Sequence, residues 1–179
     1  MTKHIENFKS WSESIVADVA ALKALLESEK AGTESRRLAA GALSYLVMRL
    51  DLVPDHEAGI GALDDVMVLR VCAQLAAGHG DLGVNDDAEI TLSRMANEAD
   101  QIADFLGKGP YDNLRKYCTK LAETVVRGRV PSLVLADEEA RVALYREVDD
   151  EIKKTVPVII KDAADAELRL KSYLTHKLK

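Results

Sequence analysis

Aromatic residues make up only 4% of this 179-residue chain and proline occurs 4 times. With Ala, Leu and Val abundant instead, that composition favours packed helices over sheets. Positive charge is not in excess: the formal net charge is -6 and the pI is near 5.3. This excludes the basic stripe that a general nucleic-acid binder needs for phosphates. No apolar run reaches a bilayer-spanning length, because the most apolar stretch, Leu38 to Val53, is interrupted by Arg49 and Asp51 and falls short of about 20 residues. The start, MTKHIENFKSW, lacks the basic and continuously apolar regions of a secretory leader, so a soluble, cytoplasmic protein is expected.

Chemistry-bearing residues are also sparse. Cys72 and Cys118 lie in apolar helical patterns with no Cys or His at ligand spacing, which reads as buried, reduced thiols. His4, His56, His79 and His176 form neither an HxxxH nor a Glu-x-x-His pair, so a zinc or di-iron helical site has no support. Gly78-His79-Gly80 and Gly107-Lys108-Gly109 match no phosphate-binding loop and read as turns. The serines lack a GxSxG context.

What is present is an apolar interior written at helical spacing. Hydrophobic residues are 47% of the chain, enough for one core. Ile5, Phe8, Ile15, Val19, Leu22 and Leu26 share one stripe and predict an amphipathic first helix over 5–26. A second helix is expected from about Glu34 to Met48 or Arg49, opened at Thr33 or its neighbour. The third, at about 62–77, is apolar almost all round and is expected to be central. Asn85 reads as the cap of a fourth helix running to Leu106. A fifth is expected over about 111–127 and a sixth from Asp137. Pro157 should break the chain before a last helix over about 158–178 that carries Ile159. The fold class is therefore all-α, a single-domain bundle of about seven helices.

Charge is unevenly placed. Residues 1–90 hold 8 Lys+Arg against 15 Asp+Glu, whereas the remainder holds 16 against 15. The acidic half contains the most distinctive segment, YLVMRLDLVPDHEAGIGALDD, from Tyr45 to Asp65. Leu50, Asp51, Leu52, Val53, Pro54 and Asp55, followed by Gly61, Ala62, Leu63, Asp64 and Asp65, resemble the signature of the YkvA-like bacterial domain of unknown function. The resemblance covers about 38–75 and implies a helical hairpin without an assigned activity. Where that family usually has an apolar residue and a second proline in the spacer, this chain has His56, Glu57 and Ala58.

Two physical readings of the motif remain open. In the structural one, Asp51 and Asp55 satisfy backbone N–H groups of the connection, while Asp64 or Asp65 ties its two ends together. In the functional one, Asp51, Asp55 and Asp64 or Asp65 converge on Mg²⁺, Ca²⁺ or Mn²⁺, with Glu57 or His56 completing the shell. An ionic cluster with Arg70 or Arg49 is a third arrangement. The matching functions are a non-enzymatic interaction or scaffold module without a cofactor, binding a protein partner or itself, and a metal-dependent phosphate-ester hydrolase. Trp11, off the main stripe, is a candidate contact residue, with packing at the core edge as its alternative. Association with a membrane surface also stays open.

Overall fold

The computed structural model describes residues 3–179. Among these residues the regular structure is helical: α1 (Lys3–Ser12), α2 (Ile15–Glu27), α3 (Thr33–Tyr45), α4 (Leu63–Ala77), α5 (Asp86–Leu106), α6 (Lys108–Leu121), α7 (Pro131–Ala136), α8 (Glu138–Lys154) and α9 (Ala163–Lys177). Nine helices thus replace the expected seven or so, and the differences have local causes.

The expected first helix is two. Ser12, Glu13 and Ser14 interrupt it, with the Glu13 and Ser14 N–H groups donating back three residues to Ser10 and Trp11 at 3.1 Å. Short polar side chains that bond their own backbone compete with the helical ladder, and Ser14 Oγ reaches both Trp11 O and Asp18. The expected fifth helix starts earlier and stops earlier. Pro110 occupies its first turn, where a missing N–H costs nothing, and the chain after Leu121 tightens into a turn closed by Val126 and Arg129. Arg127 and Gly128 there have φ of 49° and 77°.

α7 was absent from the sequence reading, since six residues are too few to show a period. Asn85 and Asp137 do open α5 and α8, accepting backbone N–H bonds from Ala88 and Glu139. Thr33 caps nothing, as Gly32 precedes the first turn of α3. The last helix begins only at Ala163, capped by Asp162. Residues 155–162 are an extended strap, because Pro157 pushes its predecessor out of the helical region. Ile159, expected on the inner face of a helix, is exposed there.

α4 is central, as its composition predicts. It packs against α3, α5, α6, α1 and α2, and Val66, Met67, Val68, Leu69, Val71, Cys72 and Ala73 are all buried. Each of the nine helices contributes to the same hydrophobic cluster. Cys72 and Cys118 are free and buried, as expected. Gly41 lets α3 meet the end of α6, since a Cβ there would lie 2.7 Å from Leu121 O.

Arg70 does not pair with the motif. Its fully buried guanidinium bonds Asp18 at 3.2 Å and Glu98 at 2.7 Å, and Arg94 joins the same two acids at 2.5 and 3.1 Å. Trp11 lies over the guanidinium, 4.4 Å from ring centroid to Cζ. Trp11 is therefore core packing and not an exposed contact. Arg49 makes no ion pair among the described residues. Leu69→Ala, which opens a void on the buried side of α4, is expected to lower unfolding free energy by about 2–5 kcal/mol in urea titration. An unchanged midpoint would contradict the burial of α4.

Candidate functional site

The connection between α3 and α4, residues 46–62, has to satisfy its backbone without a ladder. Tyr45, the last residue of α3, and Asp64, in the first turn of α4, meet that demand together. Tyr45 Oη donates to Asp64 Oδ2 at 2.5 Å and accepts the Leu52 N–H at 2.9 Å. Asp64 Oδ2 also accepts the Val53 N–H at 3.2 Å. Asp64 is thus the expected tie between the two ends of the motif, and the Asp65 side chain makes no hydrogen bond among the described residues. With their N–H groups satisfied, Leu52, Val53 and Ile60 turn into the core. Gly61 closes the loop, because a Cβ would lie 2.5 Å from Asp55 O.

Asp51 and Asp55 do not cap the turn as expected: neither side chain accepts a backbone N–H among the described residues, and the two carboxyls instead face each other at hydrogen-bonding range. They line, with Asp65, Glu57 and Glu151, a cavity of about 560 Å³ whose other wall is apolar: Leu46, Val47, Met48, Ile152 and Val158. Asp64 does not reach the cavity wall. Arg49, Arg127 and Lys154 complete the lining, but Arg127 pairs with Glu147 and Lys154 with Glu151. Asp51, Asp55, Asp64 and Asp65 have no cation within ion-pairing distance among the described residues.

Burial and mutual repulsion set the electrostatics. Asp51 is pushed up to about 7, first by burial and then by the charges of Asp64 and Asp55. Asp64 rises to about 6 by burial, although its bonds to Tyr45 and the Val53 N–H pull the other way. Asp65 is raised well above the ordinary carboxylate range, first by burial and then by the charges of Asp64, Asp51, Asp55 and Glu151. Asp51 Oδ1 and Asp64 Oδ1 are both buried without a partner in the protein.

Of the two suggested supplementary ligands, His56 lies outside the cavity lining and Glu57, within it, is already engaged. His56 is exposed, 4.0 Å from Glu57. Both oxygens of Glu57 are engaged by α9: Tyr173 Oη donates at 2.6 Å and Arg169 Nη1 at 3.1 Å. These contacts hold the Glu57 carboxyl below its usual range. Among the described residues no group of three His, Cys, Asp or Glu side chains is arranged to hold a metal ion. Sequence reasoning missed Tyr45, Glu151, Arg169 and Tyr173. Only Tyr45 carried a signal, since a tyrosine ending an apolar helix needs a partner for its hydroxyl.

The chain is therefore a helical protein built around a hairpin that displays carboxylates in a cavity. A family described as protein of unknown function (DUF1232) matches residues 35–70, the segment that supplies α3, the connection and the start of α4. No curated protein and no solved structure matches the chain. No helix among the described residues is long and apolar enough to cross a membrane.

Two outcomes follow from this geometry. Tyr45→Phe strands the Leu52 N–H and one Asp64 oxygen, so unfolding free energy should fall by about 1–3 kcal/mol. A variant as stable as the wild type in urea would show that the tie contributes nothing. The raised acids bind protons more readily folded than unfolded. Their stabilising contribution is therefore complete below the unfolded carboxylate range and is lost as pH rises through about 6 to 7. Melting between about pH 5 and pH 8 should show the wild type losing more stability than Asp51→Asn; parallel profiles would remove Asp51 from the cluster.

Proposed function

We propose that this protein is a non-enzymatic interaction module whose carboxylate-lined cavity receives a positively charged side chain of a protein partner. One observation carries the reading: Asp51, Asp55 and Asp65 line a cavity with an apolar wall and no paired cation among the described residues. A lysine or arginine combines an apolar stem with a charged head, so it matches both halves of such a cavity. Entry of that charge would offset the burial and the neighbouring acidic charges that push Asp51 up to about 7. At the mouth, Val156 and Ile159 are 74% and 72% exposed, and Leu50, beside Asp51, is 86% exposed. Such residues offer a partner apolar contact around the charged anchor.

A divalent-metal-dependent phosphate-ester hydrolase using Asp51, Asp55, Asp64 and Asp65 is the second reading, and the presence of Arg49 and Arg127 in the cavity lining favours it. Against it, the acids are not gathered at ligating positions, and Asp64 is committed to Tyr45 and Val53.

Melting of the full chain in EDTA, then with n-butylguanidinium, n-butanol, Mg²⁺, Ca²⁺ or Mn²⁺, separates the two. A ligand confined to the folded state stabilises it by about 2.7 kcal/mol at a hundred times its Kd. Stabilisation by n-butylguanidinium but not n-butanol, abolished in Asp51→Asn and Asp65→Asn, is the expected result. Stabilisation by a metal alone would transfer the site to the hydrolase reading, and indifference to every cation would sink both.

A further inference from the structure

We propose that Glu57 is a latch that holds residues 155–162 across the mouth of the carboxylate-lined cavity, so that breaking its contacts with α9 opens the cavity. The inference rests on the cavity being the binding site and concerns its regulation.

The strap leaves α8 at Lys154 and re-enters a helix at Ala163 with no regular structure between. Thr155, Val156, Pro157, Val158 and Ile159 line the cavity that they cross. The strap's own hold is slight: among the described residues its backbone bonds are Thr155 N–H to Ile152 O and Ala166 N–H to Asp162 O, both 3.0 Å and both at its ends. Val158 and Ile160 are half-buried against the core, while Val156 and Ile159 point to solvent.

Fixation comes from the two sides of the motif loop. Gly59, with φ +79°, brings its backbone so near the strap that a Cβ would lie 2.9 Å from Ile159 O. Two residues earlier, Glu57 takes Tyr173 on one oxygen and Arg169 on the other. Arg169 Nη2 adds a bond to Ala58 O at 3.0 Å, and Asp165 orients the same guanidinium through Nε at 2.8 Å. Glu57 thereby ties α9 to the motif loop beside the buried Ala166, Leu170 and Leu174, and the strap spans from α8 to that tethered helix. Partly exposed charged contacts of this kind are individually weak, which suits a latch that holds a short segment and still releases it.

The cavity acids report on access directly, because a protonated carboxyl reacts with a water-soluble carbodiimide and a small amine to form an amide. Labelling of the full-length protein at Asp51 and Asp65, read by peptide mass spectrometry near pH 6, is compared with tryptic cleavage after Lys161. Glu57→Gln and, as a milder variant, Tyr173→Phe should raise both rates by roughly three- to tenfold, the range expected when one or two partly exposed contacts are lost. Asp64, which does not reach the cavity, should be labelled no faster. Equal labelling of Asp51 and Asp65 in the wild type and both variants would overturn the latch, as would a matching rise at Asp64, which signals general loosening. Tryptic cleavage uses no cationic ligand, so a cavity that binds no n-butylguanidinium would remove the binding reading and leave the latch decided by cleavage after Lys161.

Discussion

A buried carboxylate, Asp64, sets the geometry on which the motif depends. It is fully shielded from solvent, and the partners that make its burial tolerable are the Tyr45 hydroxyl and the Val53 N–H. Those two groups belong to the end of α3 and to the connection after it, so one side chain near the start of α4 specifies how the chain turns between the helices. Leu52, Val53 and Ile60 then enter the core, and the alternate residues Asp51 and Asp55 are carried to the cavity wall. The display of acids is a consequence of the tie.

Two acidic clusters in the same fold meet the cost of burial in opposite ways. Asp18 and Glu98 are matched by two guanidiniums, Arg70 and Arg94, and Trp11 covers the Arg70 cation. That arrangement is complete and leaves no role for a further charge. Asp51, Asp55, Asp64 and Asp65 hold four carboxyls with no such partner among the described residues, and burial beside one another raises the proton affinity of Asp51, Asp64 and Asp65. A site that carries protons where it lacks cations favours the arrival of a cation, which is why the functional reading attaches to the motif rather than to the Arg70 cluster.

The sequence made some of this legible and left some of it hidden, for physical reasons. The central position of α4 could be read because apolar residues cover every side of it, and the caps Asn85 and Asp137 because their chemistry is local. The tie across the motif was also readable in kind, since two acids faced a loop with orphan N–H groups; choosing Asp64 over Asp65 required the position of Tyr45. The break at Ser12 to Ser14 was masked by a hydrophobic stripe that continues through it, because α1 and α2 bury the same side of the chain. Arg70 looked like a partner for the motif by proximity in sequence, whereas its true partner Asp18 lies 52 positions away.

Glu57 shows the same limit and gives it a consequence. The family match ends at residue 70, yet the residues that engage Glu57 are Arg169 and Tyr173, and the strap that crosses the cavity is 155–162. The segment shared with the family therefore supplies the acids, and a layer outside the match supplies the cover. The spacer His56-Glu57-Ala58, where this chain departs from the pattern it resembles, is the point at which that layer docks: Glu57 offers its carboxylate and Ala58 its carbonyl to Arg169. A hydrophobic residue or proline at position 57 would lack the carboxylate that takes Arg169 and Tyr173, whereas the Ala58 carbonyl would remain as an acceptor. The proposed latch thus joins Glu57, inside the family match, to Arg169 and Tyr173 outside it, while Asp51, Asp55 and Asp65 all lie within the matched segment.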